Sequence, residues 1–114
     1  MNLTEFRVLI IDDVAIPRAI LKKMLLRFGV LKRNIFELSS ASSAIKEIMD
    51  KNINLVISDW SMPDMEGIDL LKQVRADSRI ATLPFILTTA YSDKDKVAAA
   101  LEAGVTDFLL KPFG

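Results

Sequence analysis

Three aspartates of this sequence stand where apolar runs end. Asp12 and Asp13 follow the run at residues 6–11, and Asp59 follows the run at residues 55–58. Short runs of branched apolar residues are typical of strands buried in a parallel sheet. Ligands of open α/β sheets bind at the carboxyl ends of such strands. These positions therefore indicate a functional crevice that contains three carboxylates.

Strand and helix patterns alternate along the chain, and these elements must position the three carboxylates. Strands are predicted at residues 6–11, 34–38, 55–58, 85–88 and 106–110. Helical spacing of apolar residues appears at 16–28, at 44–49, in the segment after residue 67 and at 94–103. Strands and helices that alternate through short loops predict a doubly wound α/β fold with five parallel strands. The expected strand order is the flavodoxin-like 2-1-3-4-5, which brings the ends of the first and third strands together.

Local signals mark the ends of the predicted helices. Gly29 and Gly104 stand just past the first and fourth helices, where glycine commonly ends a helix. The serines at 39–43 are expected to cap the second helix, and Ser92 with Asp95 to cap the fourth. The third helix is expected to turn its apolar residues inwards and its basic residues outwards, namely Ile68, Leu71 and Val74 against Lys72 and Arg75.

Composition limits the classes of function. The 114 residues are expected to form one domain, 1–114, and carry 15 basic and 15 acidic side chains, which gives no argument for binding to nucleic acid. The absence of histidine and cysteine excludes imidazole metal sites, Ser-His pairs and disulfides. No apolar run has transmembrane length, and the first residues lack the pattern of a signal peptide, so we expect a cytoplasmic protein without membrane insertion.

Four short blocks, in chain order, resemble the signature of response-regulator receiver domains. They are Asp12-Asp13, Asp59 with Met62-Pro63 and Gly67, Thr89-Ala90, and Lys111-Pro112. The run at 59–63 most resembles the chemotaxis, CheY-like, type of receiver. The resemblance spans nearly the whole chain. It implies a signalling switch, not an enzyme, that takes a phosphoryl group from a histidine kinase with Mg²⁺. It also implies an output protein as partner, such as a flagellar motor component or a phosphatase.

The resemblance also implies roles for the residues of the acid crevice. Asp59 matches the carboxylate that accepts the phosphoryl group, and Lys111 matches the cation that pairs with it. Asp12, Asp13, Asp59 and the backbone carbonyl of Ser61 match the Mg²⁺ ligands, with Asp12 acting through water. Two carboxylates about 5 Å apart repel by about 3 kcal/mol at an effective dielectric of 20. We therefore expect Lys111 and a divalent ion to balance the three negative charges.

Further residues match the switch and the positions that adjust its lifetime. Thr89 matches the hydroxyl that binds the phosphoryl oxygen; it is preferred over Thr88 because a small residue follows it. Phe108 matches an aromatic switch residue, although it lacks the hydroxyl usual in the chemotaxis type. Ser61 and Tyr91 replace side chains that border the path of the hydrolytic water. Lys111-Pro112 matches a peptide that the family often holds in the cis form.

Other interpretations of the same residues stay open. An acid pair after a strand often only caps a helix. Two threonines at a strand end often have no role beyond forming the strand. An aspartyl-nucleophile phosphohydrolase would carry Asp-x-Asp on the first strand, whereas this chain has adjacent acids. An FMN-binding flavodoxin would carry a phosphate loop where residues 14–17 stand. The main alternative is an interaction module that has the receiver fold but works without phosphorylation.

The end of the sequence also differs from the pattern of the family. Receiver domains carry a fifth helix after the Lys-Pro turn, and the sequence stops at Gly114 before any such helix. Burial of about four large apolar side chains, roughly 6–12 kcal/mol, would be absent. We therefore expect an uncovered sheet face that leads to self-association, or a chain that is a fragment of a longer protein.

Overall fold

The computed structural model describes residues 2–90 and 94–113 and has one parallel sheet. Its strands are β1 (Val8–Ile11), β2 (Ile35–Leu38), β3 (Leu55–Asp59), β4 (Phe85–Thr89) and β5 (Asp107–Leu110). The α-helices of the described residues are α1 (Ala15–Phe28), α2 (Ala44–Lys51), α3 (Gly67–Ala76) and α4 (Lys94–Glu102). The strand order is β2-β1-β3-β4-β5. The predicted fold class and strand order are therefore confirmed.

Strand register aligns the carboxyl ends of the central strands. Ile11 of β1 lies opposite Ser58 of β3, so that the residues after both strands share one edge of the sheet. Backbone hydrogen bonds extend the strand pairing past the strand ends. Asp12 N donates to Leu38 O at 3.1 Å, and Trp60 N donates to Thr88 O at 2.9 Å. The backbone that carries the acidic side chains is consequently held by the sheet itself.

The two faces of the sheet are buried by different numbers of helices. Leu9 and Ile11 belong to a core cluster with residues of α2, α3 and α4, whereas Val8 and Ile10 belong to a cluster with Leu21 of α1. All four residues of β1 are fully buried. This explains why β1 is a continuous apolar run, since both faces of the strand lie against helices.

The face covered by α1 is the less buried one. Ile86 and Leu109 on this face are only half-buried. Beside α1 lies an apolar groove of about 180 Å³ lined by Ile16, Pro17, Ile20, Lys111, Pro112 and Phe113. Ile16 is 70% exposed. The groove is therefore an apolar surface that remains accessible beside α1.

Several local predictions differ from the structure at the ends of elements. β1 begins two residues later than predicted, because Arg7 N donates to the Asn54 side chain instead of a strand partner, at 2.7 Å. Asn34 belongs to a 3-10 turn, so β2 begins at Ile35. Ser43 occupies the N-cap position of α2, but its side chain makes no capping hydrogen bond, so the predicted serine cap is wrong. The cap predicted at Ser92 lies outside the described residues.

Arg75 does not point into solvent as the helical pattern predicts. Its side chain is half-buried and donates to three backbone carbonyls, Gly104 O at 2.9 Å, Ala81 O at 3.2 Å and Leu83 O at 2.6 Å. Helical periodicity gives the direction of a side chain but not the neighbours that a long arginine reaches. Arg75 therefore joins α3 to the segments before β4 and β5.

The glycines predicted to end the first and fourth helices do so in the structure. Gly29 and Gly104 adopt left-handed φ values of 105° and 90° past α1 and α4. Glycine adopts such values without the steric cost that a Cβ brings. Among the helices that the structure describes, none has both the length and the apolar composition needed to cross a membrane.

Candidate functional site

The three aspartates lie together at the carboxyl edge of the sheet. Asp12, Asp13 and Asp59 each offer a carboxylate oxygen within 4.8 Å of the others. Asp12 and Asp59 are buried, whereas Asp13 is exposed. Asp12 is fixed locally, because its Oδ1 accepts a hydrogen bond from Val14 N at 2.9 Å. The convergence predicted from the strand ends is present in the structure.

Lys111 connects the two buried carboxylates. Its Nζ lies 3.0 Å from Asp12 Oδ2 and 3.3 Å from Asp59 Oδ2. Its backbone N donates to Thr89 O at 2.8 Å, which continues the pairing of β4 with β5. The Lys111–Pro112 peptide that follows is cis, as the resemblance implies. One ammonium thus faces three carboxylates, and the charges of these four groups add up to a negative crevice.

The electrostatics of Asp59 follow from this arrangement. Burial raises the pKa of Asp59, and the nearby charge of Asp12 raises it further, while Lys111 acts in the opposite direction. Burial acts to lower the pKa of Lys111, but the hydrogen bond to Asp12 and the charges of Asp59 and Asp12 outweigh it and raise that pKa. An additional cation would therefore favour the ionised form of Asp59.

The donor set fits a hard divalent cation. Three carboxylates with oxygens so close together supply the ligand type that Mg²⁺ prefers, and the exposed Asp13 leaves one side of the cluster open to water. Mg²⁺ usually keeps several waters and takes few protein carboxylates. Asp12, Asp13 and Asp59 are therefore suitable residues to hold this ion.

A cavity of about 160 Å³ adjoins Asp59. It is lined by Asp59, Trp60, Ser61, Thr89, Ala90 and Lys111. Four of these are residues to which the resemblance assigns a role in binding the phosphoryl group or the metal, or in adjusting lifetime. Thr88 is not among the lining residues, and its buried Oγ1 has no hydrogen-bond partner within the described part of the chain. The preference for Thr89 over Thr88 agrees with this placement.

Thr89 and Phe108 lie on neighbouring strands. Leu87 of β4 is opposite Phe108 of β5, and Thr89 is two residues beyond Leu87. Alternation along β4 places Thr89 and Leu87 on the same face of the sheet, so Thr89 and Phe108 are diagonal neighbours. Phe108 is half-buried and packs against the cluster covered by α2, α3 and α4. Tyr91, expected to cover the site, lies outside the described residues.

Two cations beside the site were not identified from the sequence. Arg18 of α1 donates from its guanidinium to Asp12 O at 2.5 Å and to Glu37 Oε1 at 3.3 Å. Lys96 of α4 lies over the ring of Trp60, with Nζ 5.3 Å from the ring centroid. Arg18 lies one turn into the helix that follows the acid pair, which is a signal that could have indicated it. The Lys96 contact joins segments far apart in sequence and has no local signal.

Comparison with known proteins agrees with this geometry. Residues 8–114 match the family described as response regulator receiver domain. The chain is 37% identical over 107 residues to the chemotaxis protein CheY of Pseudomonas aeruginosa, covering 94% of this chain and 85% of that protein. It is 36% identical over 109 residues to CheY-3 of Vibrio cholerae, covering 96% and 82%.

Solved structures with the same fold include chemotaxis and kinase-linked receivers. The structure of CheY4 of Vibrio cholerae is similar with a TM-score of 0.86 at 26% identity, covering 96% of this chain and 88% of that one. The receiver domain of a signal transduction histidine kinase from Syntrophus aciditrophicus has a TM-score of 0.82 at 29% identity, covering 96% and 80%.

Proposed function

Because this chain belongs to the response regulator receiver domain family, and to its CheY type, we propose that it is a phosphorelay switch that is phosphorylated on Asp59. The observation that carries this proposal is the position of Asp59. Its carboxylate is buried, contacts Lys111 at 3.3 Å and lies within 4.8 Å of two further carboxylates. A capping or turn residue would not require this combination of burial, like charge and a bridging ammonium.

The chemical step is a phosphoryl transfer from a histidine kinase. An oxygen of Asp59 forms a bond to phosphorus while the bond between phosphorus and the imidazole nitrogen of the donor breaks. The electron pair of that bond stays on the nitrogen, which takes up a proton. Asp12, Asp13, Asp59 and the carbonyl of Ser61 would hold Mg²⁺, which supplies charge neutralisation when bound. Lys111 pairs with the new negative charge from its position beside Asp59.

The switch would pass from Asp59 to a protein-binding face through β4 and β5. Thr89 lines the same cavity as Asp59, and its hydroxyl would hydrogen-bond the phosphoryl oxygen. Phe108 is its diagonal neighbour on β5 and would change packing as Thr89 moves. Phosphorylation then shifts an existing equilibrium between two states of the α4–β5 face. The proposed output partner is a protein such as a flagellar motor component or a phosphatase.

Two residues would adjust the lifetime of the phosphorylated form. Ser61 lines the cavity beside Asp59, so its small side chain leaves room for a hydrolytic water. Tyr91 follows Thr89 by two residues and would cover the phosphoryl group. Larger access for water means faster hydrolysis. We propose that these two positions set the lifetime, while identity as a receiver depends on Asp59 and its neighbours.

The unit of function would be one domain, 1–114, in the cytoplasm, where it meets the kinase. We also propose that a second copy covers the apolar groove beside α1 at high concentration. The groove has apolar side chains around Ile16, which is 70% exposed. The chain carries no net charge, so long-range repulsion between copies is small.

Intact-mass spectrometry after incubation with acetyl phosphate and Mg²⁺ tests the proposed function. The parent should gain one acid-labile phosphoryl group, and Asp59→Asn should gain none. Asp69→Asn, which changes an exposed aspartate of α3, is the matched control and should react like the parent. A parent chain that gains no mass would contradict the proposal and leave an interaction module that works without phosphorylation.

A further inference from the structure

Lys96 and Trp60 form a contact that the proposed reaction does not use. The Lys96 ammonium lies 5.3 Å from the centroid of the Trp60 ring, within the range of a cation–π interaction. Lys96 is a half-buried residue in the first turn of α4, and Trp60 directly follows Asp59. The contact therefore joins α4 to the segment that carries the phosphate acceptor.

Trp60 is held rigidly at this position. Its N donates to Thr88 O at 2.9 Å, and its O accepts from Gly67 N at 2.7 Å. Its side chain is only 4% exposed and belongs to the large core cluster, and the residue lines the cavity beside Asp59. A ring fixed at both backbone ends offers a stationary face to the ammonium.

The inner side of α4 has little else that is polar. Ala100, one helical turn after Lys96 and on the same side of the helix, is fully buried in the same cluster as Trp60. Ala99 and Ala103 pack against that cluster as partly buried residues. Small alanine side chains pack the rest of the helix, and Lys96 and Val97 are the half-buried residues of its first turn.

We propose that Lys96 is a positioning residue that transmits the charge on Asp59 to the first turn of α4 through its contact with Trp60. After phosphorylation, residue 59 carries about 1.5–2 negative charges in place of the single charge of the carboxylate, so the negative charge next to the ring increases. Attraction between two charges is stronger and longer in range than attraction between a charge and a ring quadrupole. The new charge draws the ammonium off the ring towards the crevice, and the first turn of α4 moves with it.

This inference rests on the proposed function, because phosphorylation is what changes the charge on Asp59. Trp60 is the single tryptophan of the chain, so its emission reports on the contact without interference. We would measure this emission in Mg²⁺ alone and after acetyl phosphate is added, and determine the phosphorylated fraction of the same samples by mass spectrometry. Lys96→Met removes the charge and keeps the length of the side chain.

At equal phosphorylated fraction, Lys96→Met should show less than half of the emission change of the parent. Lys96→Arg keeps a cation over the ring and should restore most of the change. Lys94→Met, in the same turn of α4 but exposed, should respond like the parent. Circular dichroism checks folding, and Lys96→Gln is the second variant if Lys96→Met does not fold.

The outcomes separate the two proposals. A parent that gains no phosphoryl mass overturns the proposed function and this inference with it. A parent that is phosphorylated without an emission change overturns the inference alone. The same holds if Lys96→Met keeps the full emission change of the parent, because the contact is then only packing.

Discussion

Gly67 lies directly against the backbone of Asp59. A Cβ atom on Gly67 would lie 2.2 Å from Asp59 O and 2.9 Å from the side chain of Leu87. No carbon atom approaches a carbonyl oxygen so closely without displacement of one of them. The first residue of α3 is therefore glycine because the helix starts against the last residue of β3.

Gly67→Ala should lower stability by about 1–3 kcal/mol, the usual cost of forced packing in a core. It should also slow phosphorylation, because the backbone of Asp59 must move to admit the methyl group. A urea titration measures the first effect, and the rate of mass gain with acetyl phosphate measures the second.

Gly29→Ala is the control for that variant. Gly29 has a left-handed φ of 105°, but its Cβ would meet only the Leu3 side chain at an ordinary 3.7 Å. It should lose about 1–2 kcal/mol through backbone strain, with no change in the rate of mass gain. Equal slowing in both variants would mean that stability, not the position of Asp59, limits the reaction.

Asp59→Asn should be more stable than the parent at pH 7. Burial and Asp12 raise the pKa of Asp59 in the folded state, so the folded chain binds this proton more tightly than the unfolded chain. Stability from this group is then fully present below the unfolded pKa of about 3.9 and falls as pH rises through the folded pKa. Each pKa unit of difference between the folded and unfolded states corresponds to about 1.4 kcal/mol in the free energy of unfolding.

The difference between the two urea midpoints should accordingly decrease as pH is lowered towards 4. Protonation of Asp59 in the parent makes residue 59 increasingly similar to the uncharged asparagine of the variant. A variant that is less stable than the parent at pH 7 would show that the contact with Lys111 outweighs burial and the charge of Asp12.

Mg²⁺ should stabilise the parent by mass action. The gain is about 2.7 kcal/mol when the ion is present at one hundred times its dissociation constant. Asp13→Asn should remove most of this gain, because its carboxylate belongs to the acid cluster, whereas the exposed Asp69→Asn should keep it. Thermal unfolding across a magnesium titration is the measurement, and an unchanged Tm in the parent would contradict the site.

Arg75→Met should destabilise the fold by about 1.5–3 kcal/mol. The guanidinium donates to three backbone carbonyls, but the side chain is only half-buried and water replaces part of these contacts. The expected total is therefore that of a single hydrogen bond to a charged group. Lys72→Met, one turn earlier and exposed on the same helix, should change stability by less than about 0.5 kcal/mol. Similar urea midpoints for both variants would mean that the three hydrogen bonds add nothing to stability.

Light scattering at several concentrations tests the groove beside α1. The apparent mass should rise with concentration in the parent, and Ile16→Lys should reduce the rise, because a charge replaces a side chain that is 70% exposed. Leu101→Lys on α4, where the side chain is 61% exposed, is the control and should leave the rise unchanged. A parent that stays monomeric throughout would contradict self-association.

The sequence was sufficient to predict the sheet and the cluster of acids for one physical reason. Buried parallel strands require continuous apolar runs, and chain order with short connections limits how the strands can be arranged. Once β1 and β3 are neighbours, Asp12 and Asp59 must lie at one edge. The choice of Thr89 over Thr88 came from the resemblance, in which a small residue follows the hydroxyl, and the role of Thr89 stays a prediction.

Contacts of long side chains could not be predicted in the same way. Arg75 lies where the helical pattern expects an exposed residue, yet it reaches carbonyls on two other segments. The Lys96 ammonium contacts the Trp60 ring, which belongs to a segment far away in the sequence. Such contacts depend on rotamers and on the final distance between elements, and neither has a period in the sequence. Ser43 failed as a cap because position alone does not form the hydrogen bond.

The salt bridge between Lys111 and Asp12 has a consequence during synthesis of the protein. These residues are 99 positions apart, and Lys111 follows β5, the last strand in chain order. The amino-terminal part of a chain is synthesised first and leaves the ribosome first. The nascent chain thus contains Asp12 for 99 residues of synthesis before the lysine that pairs with it exists. Under the function proposed above, we therefore expect that Asp59 of an incomplete chain is not phosphorylated efficiently before Lys111 has been added.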